Sequence, residues 1–211
     1  MDLVFGMTVV GSDGAGAGTL DRVLVDPAKR EITHIVVRSP SVSEDVLLPL
    51  SLVQGSTEDR LLLHAASGDL EHMPRYYEGR ASSPPSGRID VSVVREPADR
   101  RQSLEAALNV PADAREYGPD TRVTTADNTE GHLISLAADQ YTNQLSGLRV
   151  GGLGEQEVAV PDRWIGELRD GAIGLTVPSD RLDRLVGPQA ASYVATEFET
   201  PREGMERGLS E

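Results

Sequence analysis

The sequence predicts a mainly β protein made of two tandem small antiparallel β-barrels, and three observations carry that prediction. The chain repeats itself: adding 113 to early positions maps Val10, Gly18, Leu20, Asp26, Ile35 and Val37 onto Val123, Gly131, Leu133, Asp139, Leu148 and Val150. One hairpin later the offset is 112, and Val46, Pro49, Val53, Leu61, Leu63, Leu70 and Met73 fall on Val158, Pro161, Ile165, Ile173, Leu175, Leu182 and Leu185. Fixed-period self-similarity of this kind marks a duplicated structural unit. The apolar residues also come in short β-branched runs separated by turn residues, which is the pattern of small all-β folds. Finally, 211 residues with 21 Gly and only 4% aromatics suit two units, each expected to have a modest core of its own, better than one large core.

The elements follow in order. Met7–Val10 reads as a short strand, and Gly11–Gly18 as a turn with several residues free to take positive φ. Thr19–Val25 is a second strand, running through Asp26-Pro27 and the polar Ala28-Lys29-Arg30 into the β-branched strand Ile32–Val37. Val46–Pro49 is closed by a proline that has no N–H for a central ladder, and Arg60–His64 is the fifth strand. Leu70 and Met73 with Asp69 and Glu71 suggest one helical turn capping the sheet. The second half repeats the order over 122–125, 131–138, 145–150, 157–160 and 172–177, with a helical turn at 180–185 and Asp127-Asn128-Thr129 in place of the glycine-rich turn.

This organises the chain as a first repeat at 1–78, a linker at 79–116, a second repeat at 117–187 and a C-terminal segment at 188–211. Asp90-Val-Ser-Val-Val-Arg-Glu-Pro97 and Val194-Ala-Thr-Glu-Phe-Glu-Thr-Pro201 alternate with period 2 and end at proline, which predicts an extra strand after each barrel, at 89–95 and 193–199. Ser82-Ser83-Pro84-Pro85-Ser86 has the composition of a flexible connector, 102–108 that of a short helix, and the last ten residues that of a fraying tail.

Composition narrows the function classes. The formal charge is −14, and the 19 Arg and the single Lys29 are scattered among 34 acids, so neither nucleic acid nor an anionic membrane is an expected direct partner. No apolar run approaches the ~20 residues of a membrane helix, and the first residues lack the basic start of a signal peptide; a cytoplasmic location is expected. With no cysteine there are no disulfides, thiolate nucleophiles or thiolate metal sites. Arg in place of Lys, with abundant Ala, Gly and Pro, looks like the codon bias of a GC-rich bacterial genome.

Three stretches carry a family resemblance. Gly18-Thr-Leu-Asp-Arg-Val-Leu-Val-Asp26, Ile32-Thr-His-Ile-Val-Val-Arg38 and Leu48-Pro-Leu-Ser-Leu-Val53 resemble the PRC-barrel family, which includes the cytoplasmic domain of the photosynthetic reaction-centre H subunit and the C-terminal domain of ribosome maturation factors. Gly131–Asp139, Leu145–Val150 and Val160-Pro161 look like degraded versions of the same landmarks, with Ala137, Ala138 and Arg149 departing from branched apolar residues and Trp164 standing where the first copy has Leu52. The resemblance implies tandem PRC-like barrels that dock on other proteins. It transfers no catalytic or cofactor-binding residue.

The candidate chemistry is sparse. Gly11–Gly18 loosely matches a phosphate loop, but a strand follows it where the pyrophosphate needs a helix N-terminus. His34, His64, His72 and His132 have no metal-ligand spacing, and Glu155 and Glu157 read as a solvated face. His34, His64 and His72 also map to Gly147, Thr176 and Arg184, so the scaffold is duplicated while these side chains are not. The candidate interface residues are Met73, Arg75, Tyr76, Tyr77 and Trp164, types enriched in binding hot spots; the competing and more economical reading has them sealing the barrel mouths or packing the repeats together. The expectation is a non-enzymatic interaction or scaffold module, without cofactor or metal, acting on other proteins or on a second copy as a homodimer. The alternative is a sensor binding a small ligand between the barrels.

Overall fold

The computed structural model describes residues 1–40, 45–57, 59–76, 110–111, 113–154 and 156–183. The first half opens with β1 (Asp2–Val4) and β2 (Thr8–Val10), separated by a turn in which Gly6 takes φ 82°. The antiparallel ladder β3 (Gly16–Asp26), β4 (Glu31–Arg38) and β5 (Asp45–Pro49) follows, rich in the branched side chains that fit a pleated surface. A 3-10 turn at Leu50–Leu52 leads to β6 (Val53–Ser56) and β7 (Arg60–Leu63); a second turn at Ser67–His72 leads to β8 (Arg75–Tyr76). The sheet order is β6-β7-β2-β3-β4-β5-β8, with β7 parallel to β2.

That order forces curvature. In a flat sheet β5 and β6 would lie about 24 Å apart at ~4.8 Å per strand. They are joined only by Leu50–Leu52, a reach of about 14 Å. The sheet therefore curls until its two ends meet, and the mainly β, barrel-like prediction holds.

The second half comprises β9 (Arg115–Tyr117), β10 (Arg122–Thr124), β11 (Glu130–Ala138), β12 (Leu145–Gly151) and β13 (Val158–Pro161), then a 3-10 turn at Asp162–Trp164. It closes with β14 (Ile165–Arg169), β15 (Ala172–Leu175) and the short helix α1 (Ser179–Asp183). Its order, β13-β12-β11-β10-β15-β14, is that of the first sheet, again with one parallel pair, β10 with β15.

The ladders fix the repeat register and correct one detail of it. Val9 pairs with Gly18 and Leu61, and Val123 with Gly131 and Ile173, so Val9 rather than Val10 is the counterpart of Val123. The extra residue in the first copy is Ala17, which bulges between the Val9 and Val10 pairings. The glycine-poor turn of the second copy works because Asn128 takes the left-handed conformation of Gly14, φ 62° against 76°. Asn tolerates that region better than most residues. Gly18 and Gly131 recur for a steric reason: a Cβ on either would run into a carbonyl oxygen of the neighbouring strand, that of Arg38 or of Gly151.

The expected pair of separate cores is not what forms. β1 leaves its own half and pairs with β11 of the other (Leu3 opposite Leu136), while β9, its counterpart, pairs with β3 (Tyr117 opposite Val23). The exchange is possible because β3 and β11 are long: each pairs with its own half at its N-terminal end and accepts the foreign strand further along. At the pseudo-twofold axis, Ile32 N–H donates to Asn143 C=O and Leu145 N–H to Arg30 C=O, both at 2.8 Å, flanking a bridge between Glu31 and Gln144. The buried residues of both halves, from Leu3 to Leu182, make one continuous apolar cluster. Each lead strand shields the partner's core, so the core cannot be divided at the repeat boundary.

A second, smaller cluster lies on the outer face of the first half, where Tyr76 and Ala114 cover Leu24, Val36 and Leu47. By the ladder register their counterparts in the second half are Ala137, Arg149 and Ala159. Arg149 and Ala159 are exposed. Two of the degraded positions of the second copy, Ala137 and Arg149, therefore lie on a face with no cover over it among the described residues, whereas the third, Ala138, is buried in the main core. The strands expected at 89–95 and 193–199, the helix at 102–108 and the tail lie outside the described residues; β6, β8, β9 and β14 are short strands that the sequence reading missed, as it did β1.

Candidate interface

The four candidate residues that the structure describes do not come together as one surface. Met73, Tyr76 and Trp164 are each only 6% exposed. Met73 belongs to the main core, and Tyr76 to the outer cluster. Trp164 occupies the position of Leu52, and the guanidinium groups of Arg163 and Arg181 lie 5.5 and 5.2 Å from its ring centre. Arg75 donates to the carbonyls of Leu70 and Glu71 at 3.4 and 2.8 Å, fastening β8 to the end of the preceding turn. Tyr77 lies outside the described residues. The placement of the described four matches the packing role more closely than an open contact surface.

Among the described residues one aromatic side chain is fully presented to solvent. Tyr141, 93% exposed, sits at the tip of the β11–β12 hairpin. The Asp139 carboxylate pins that tip, accepting from the N–H of Tyr141 and from both N–H and hydroxyl of Thr142 at 2.8 to 3.0 Å. These bonds hold the Asp139 carboxyl below the usual carboxylate range. Asp26 builds the same turn in the first half, accepting from Ala28 and Lys29, but places Ala28 where the second half has Tyr141. That contrast was available in the sequence once the repeat had been aligned.

The sheet edges are treated unequally. β5 is covered by β8, with Leu47 N–H donating to Pro74 C=O at 3.0 Å. The edge of β14 is closed from across the axis, where Arg30 donates to Ile165 C=O at 2.9 Å and to Gly166 C=O at 3.2 Å, with a further bond to Asp162 C=O. Such capping is one way a protein blocks unwanted strand addition. β13, the counterpart of β5, has no strand on its outer side among the described residues.

The other acidic groups whose pKa is lowered also have structural partners. Asp13 accepts from Ser67 hydroxyl and N–H, tying the β2–β3 turn to the turn before β8; Asp127 and Ser179 repeat the tie in the second half, with Thr125 added. The Ser67 bond lowers Asp13, and the Thr125 and Ser179 bonds hold Asp127 far below the carboxylate range. Tyr117 is buried, and its hydroxyl has no hydrogen-bond partner among the described residues. Burial, reinforced by Asp170 and opposed by Arg115, raises its phenol well above 10. His34 is buried, whereas His64, His72 and His132 are exposed on separate elements. Glu157 pairs with Arg149, and Glu155 lies outside the described residues. Among the described residues no helix is long and apolar enough to cross a membrane.

No curated protein matches the chain. One family model does, over residues 2–70, a stretch that runs from the exchanged strand β1 through the barrel to Leu70. The first half of this protein thus holds a PRC-barrel domain.

Proposed function

We propose that the chain is a non-enzymatic protein-interaction module, a scaffold built from a duplicated PRC-barrel whose second copy is residues 117–187. The observation that carries the reading is the pairing of a PRC-barrel domain at 2–70 with a second sheet of the same strand order, locked to it by reciprocal strand exchange. What the two halves share is structural: the close-approach glycines, the Asp–Ser ties and the Asp-pinned hairpins. Among the described residues, what distinguishes them lies at the surface, in Tyr141, in the outer face of the second half and in the edge of β13. A frame locked by exchanged strands, with one half differentiated at its surface, suits docking, since little conformational freedom is lost on binding. The partner is another protein, with a second copy of the chain as one candidate; nucleic acid and membrane insertion have no role in this reading. The small-ligand sensor draws less support, because exchanged strands and a continuous core occupy the joint where its ligand would sit.

Capture of the tagged protein from a lysate of its own organism, followed by cross-linking, tests the proposal. The expected result is a stoichiometric partner cross-linked to the second half and weakened by Tyr141→Ala. Recovery of the chain alone, with turnover of a small molecule by the pure protein, would refute it.

A further inference from the structure

We propose that the outer edge of β13, Val158–Pro161, docks an extended basic segment of a partner protein by strand addition; the inference rests on the interaction-module reading. The repeat supplies a template for the bound state. In the first half the equivalent edge, β5, carries β8: Leu47 N–H donates to Pro74 C=O, Val46 lies opposite Arg75 and Asp45 opposite Tyr76. Ala159 holds the position of Leu47, so its N–H points away from β12 toward the same place, and no hydrogen bond reaches it there among the described residues.

The chain's own sequence is ill suited to fill that place. At the repeat positions of Arg75 and Tyr76 it has Gly187 and Pro188. Proline has no N–H to give to the ladder, and glycine weakens a strand. The loss of Arg75 also removes the side chain that, in the first half, satisfies the carbonyls of Leu70 and Glu71; Leu182 and Asp183 stand at those positions beside β13. A docked segment with arginine opposite Val158 would restore both sets of bonds. Arg149 and Ala159 replace the apolar face that Tyr76 covers in the first half, so the second half asks for main-chain pairing and a cation rather than an aromatic cover. The net charge of −14 favours the approach of a basic partner.

The probe is a basic synthetic peptide that keeps the His72–Arg75 sequence of the first half's covering strand and replaces its acidic and aromatic flanks, Lys-His-Met-Pro-Arg-Thr-Thr-Lys, titrated to millimolar concentration into the full-length 15N-labelled chain. Amide shifts should concentrate at Val158–Val160 and at Leu182–Asp183. Ala159→Pro in the protein, checked for folding by Trp164 fluorescence, should weaken binding about fivefold, as expected for one lost main-chain hydrogen bond. Arg75→Ala in the peptide, which leaves the protein untouched, should weaken it as well. No shift at β13, or binding only after residues 184–211 are removed, would overturn the proposal, the latter by giving the edge to the chain's own following segment. A partner captured from lysate but cross-linked elsewhere would overturn it too, while leaving the interaction reading intact.

Discussion

Leu3→Ala should destabilise the second half of the protein as much as the first. Leu3 is fully buried on β1, opposite Leu136 of β11, and belongs to the continuous core. Truncation removes three carbons, about 2.4 kcal/mol at ~0.8 per methylene. The cavity left behind brings the cost to about 3 kcal/mol. Trp164 is the only tryptophan and lies 161 positions along the chain from Leu3, in the second half, so its fluorescence reports unfolding there. With a urea m-value of about 2 kcal/mol/M, the Trp164 transition should move down by about 1.5 M as one cooperative step, coincident with the loss of β-structure seen by circular dichroism. An unchanged Trp164 midpoint beside an earlier circular-dichroism transition would refute the reasoning, because it would mean that the halves unfold independently and that β1 contributes nothing to the second.

Gly18→Ala should abolish folding or cost more than ~3 kcal/mol, because its Cβ meets the Arg38 carbonyl and its φ is 147°, whereas Gly16→Ala, with open space around it, should change the thermal midpoint little; similar midpoints for the two would contradict the close approach. Arg30→Met should cost about 1 to 2 kcal/mol in urea melts by freeing three carbonyls at and beside the β14 edge, and a neutral result would show that the clasp does not contribute. Tyr117→Phe should be neutral or stabilising by up to about 1 kcal/mol, since it removes a buried hydroxyl without a partner. The same phenol sets a pH dependence. Its folded-state pKa is raised, so the stability tied to its neutral form is complete below pH ~10, where the unfolded side chain titrates, and is lost as pH climbs above it by up to about 1.4 kcal/mol per unit; the difference in slope between wild type and Tyr117→Phe measures it, and equal slopes would contradict the burial.

What was legible in the sequence was what periodicity encodes. The branched runs at 19–25 and 32–37 and their counterparts are strands because every second side chain enters a core, and the glycines at 18 and 131 are there because a neighbouring carbonyl leaves no room for a Cβ. Three of the missed strands are too short to alternate: β1 and β9 have three residues each, and β8 has two. Their pairing is set by tertiary contact, with Leu3 and Tyr117 answering each other across the exchange at positions where the sequences share nothing but bulk. An internal repeat shows that two units exist, yet says nothing about which unit a lead strand joins. The candidate residues illustrate the same limit. Tyr76 and Trp164 have hot-spot chemistry, but whether such a side chain faces a partner or its own chain depends on its face of the sheet, and both are turned inward. Tyr141 faces out because it sits on a turn that Asp139 builds without help from the core.

Cleavage at a protease site engineered between Gly87 and Arg88 tests most directly whether two halves joined by exchanged strands form one unit. The fragments should elute together with the mass of the intact chain, keep a single unfolding transition and separate only in denaturant. Fragments that part under native conditions, each still folded, would contradict the account.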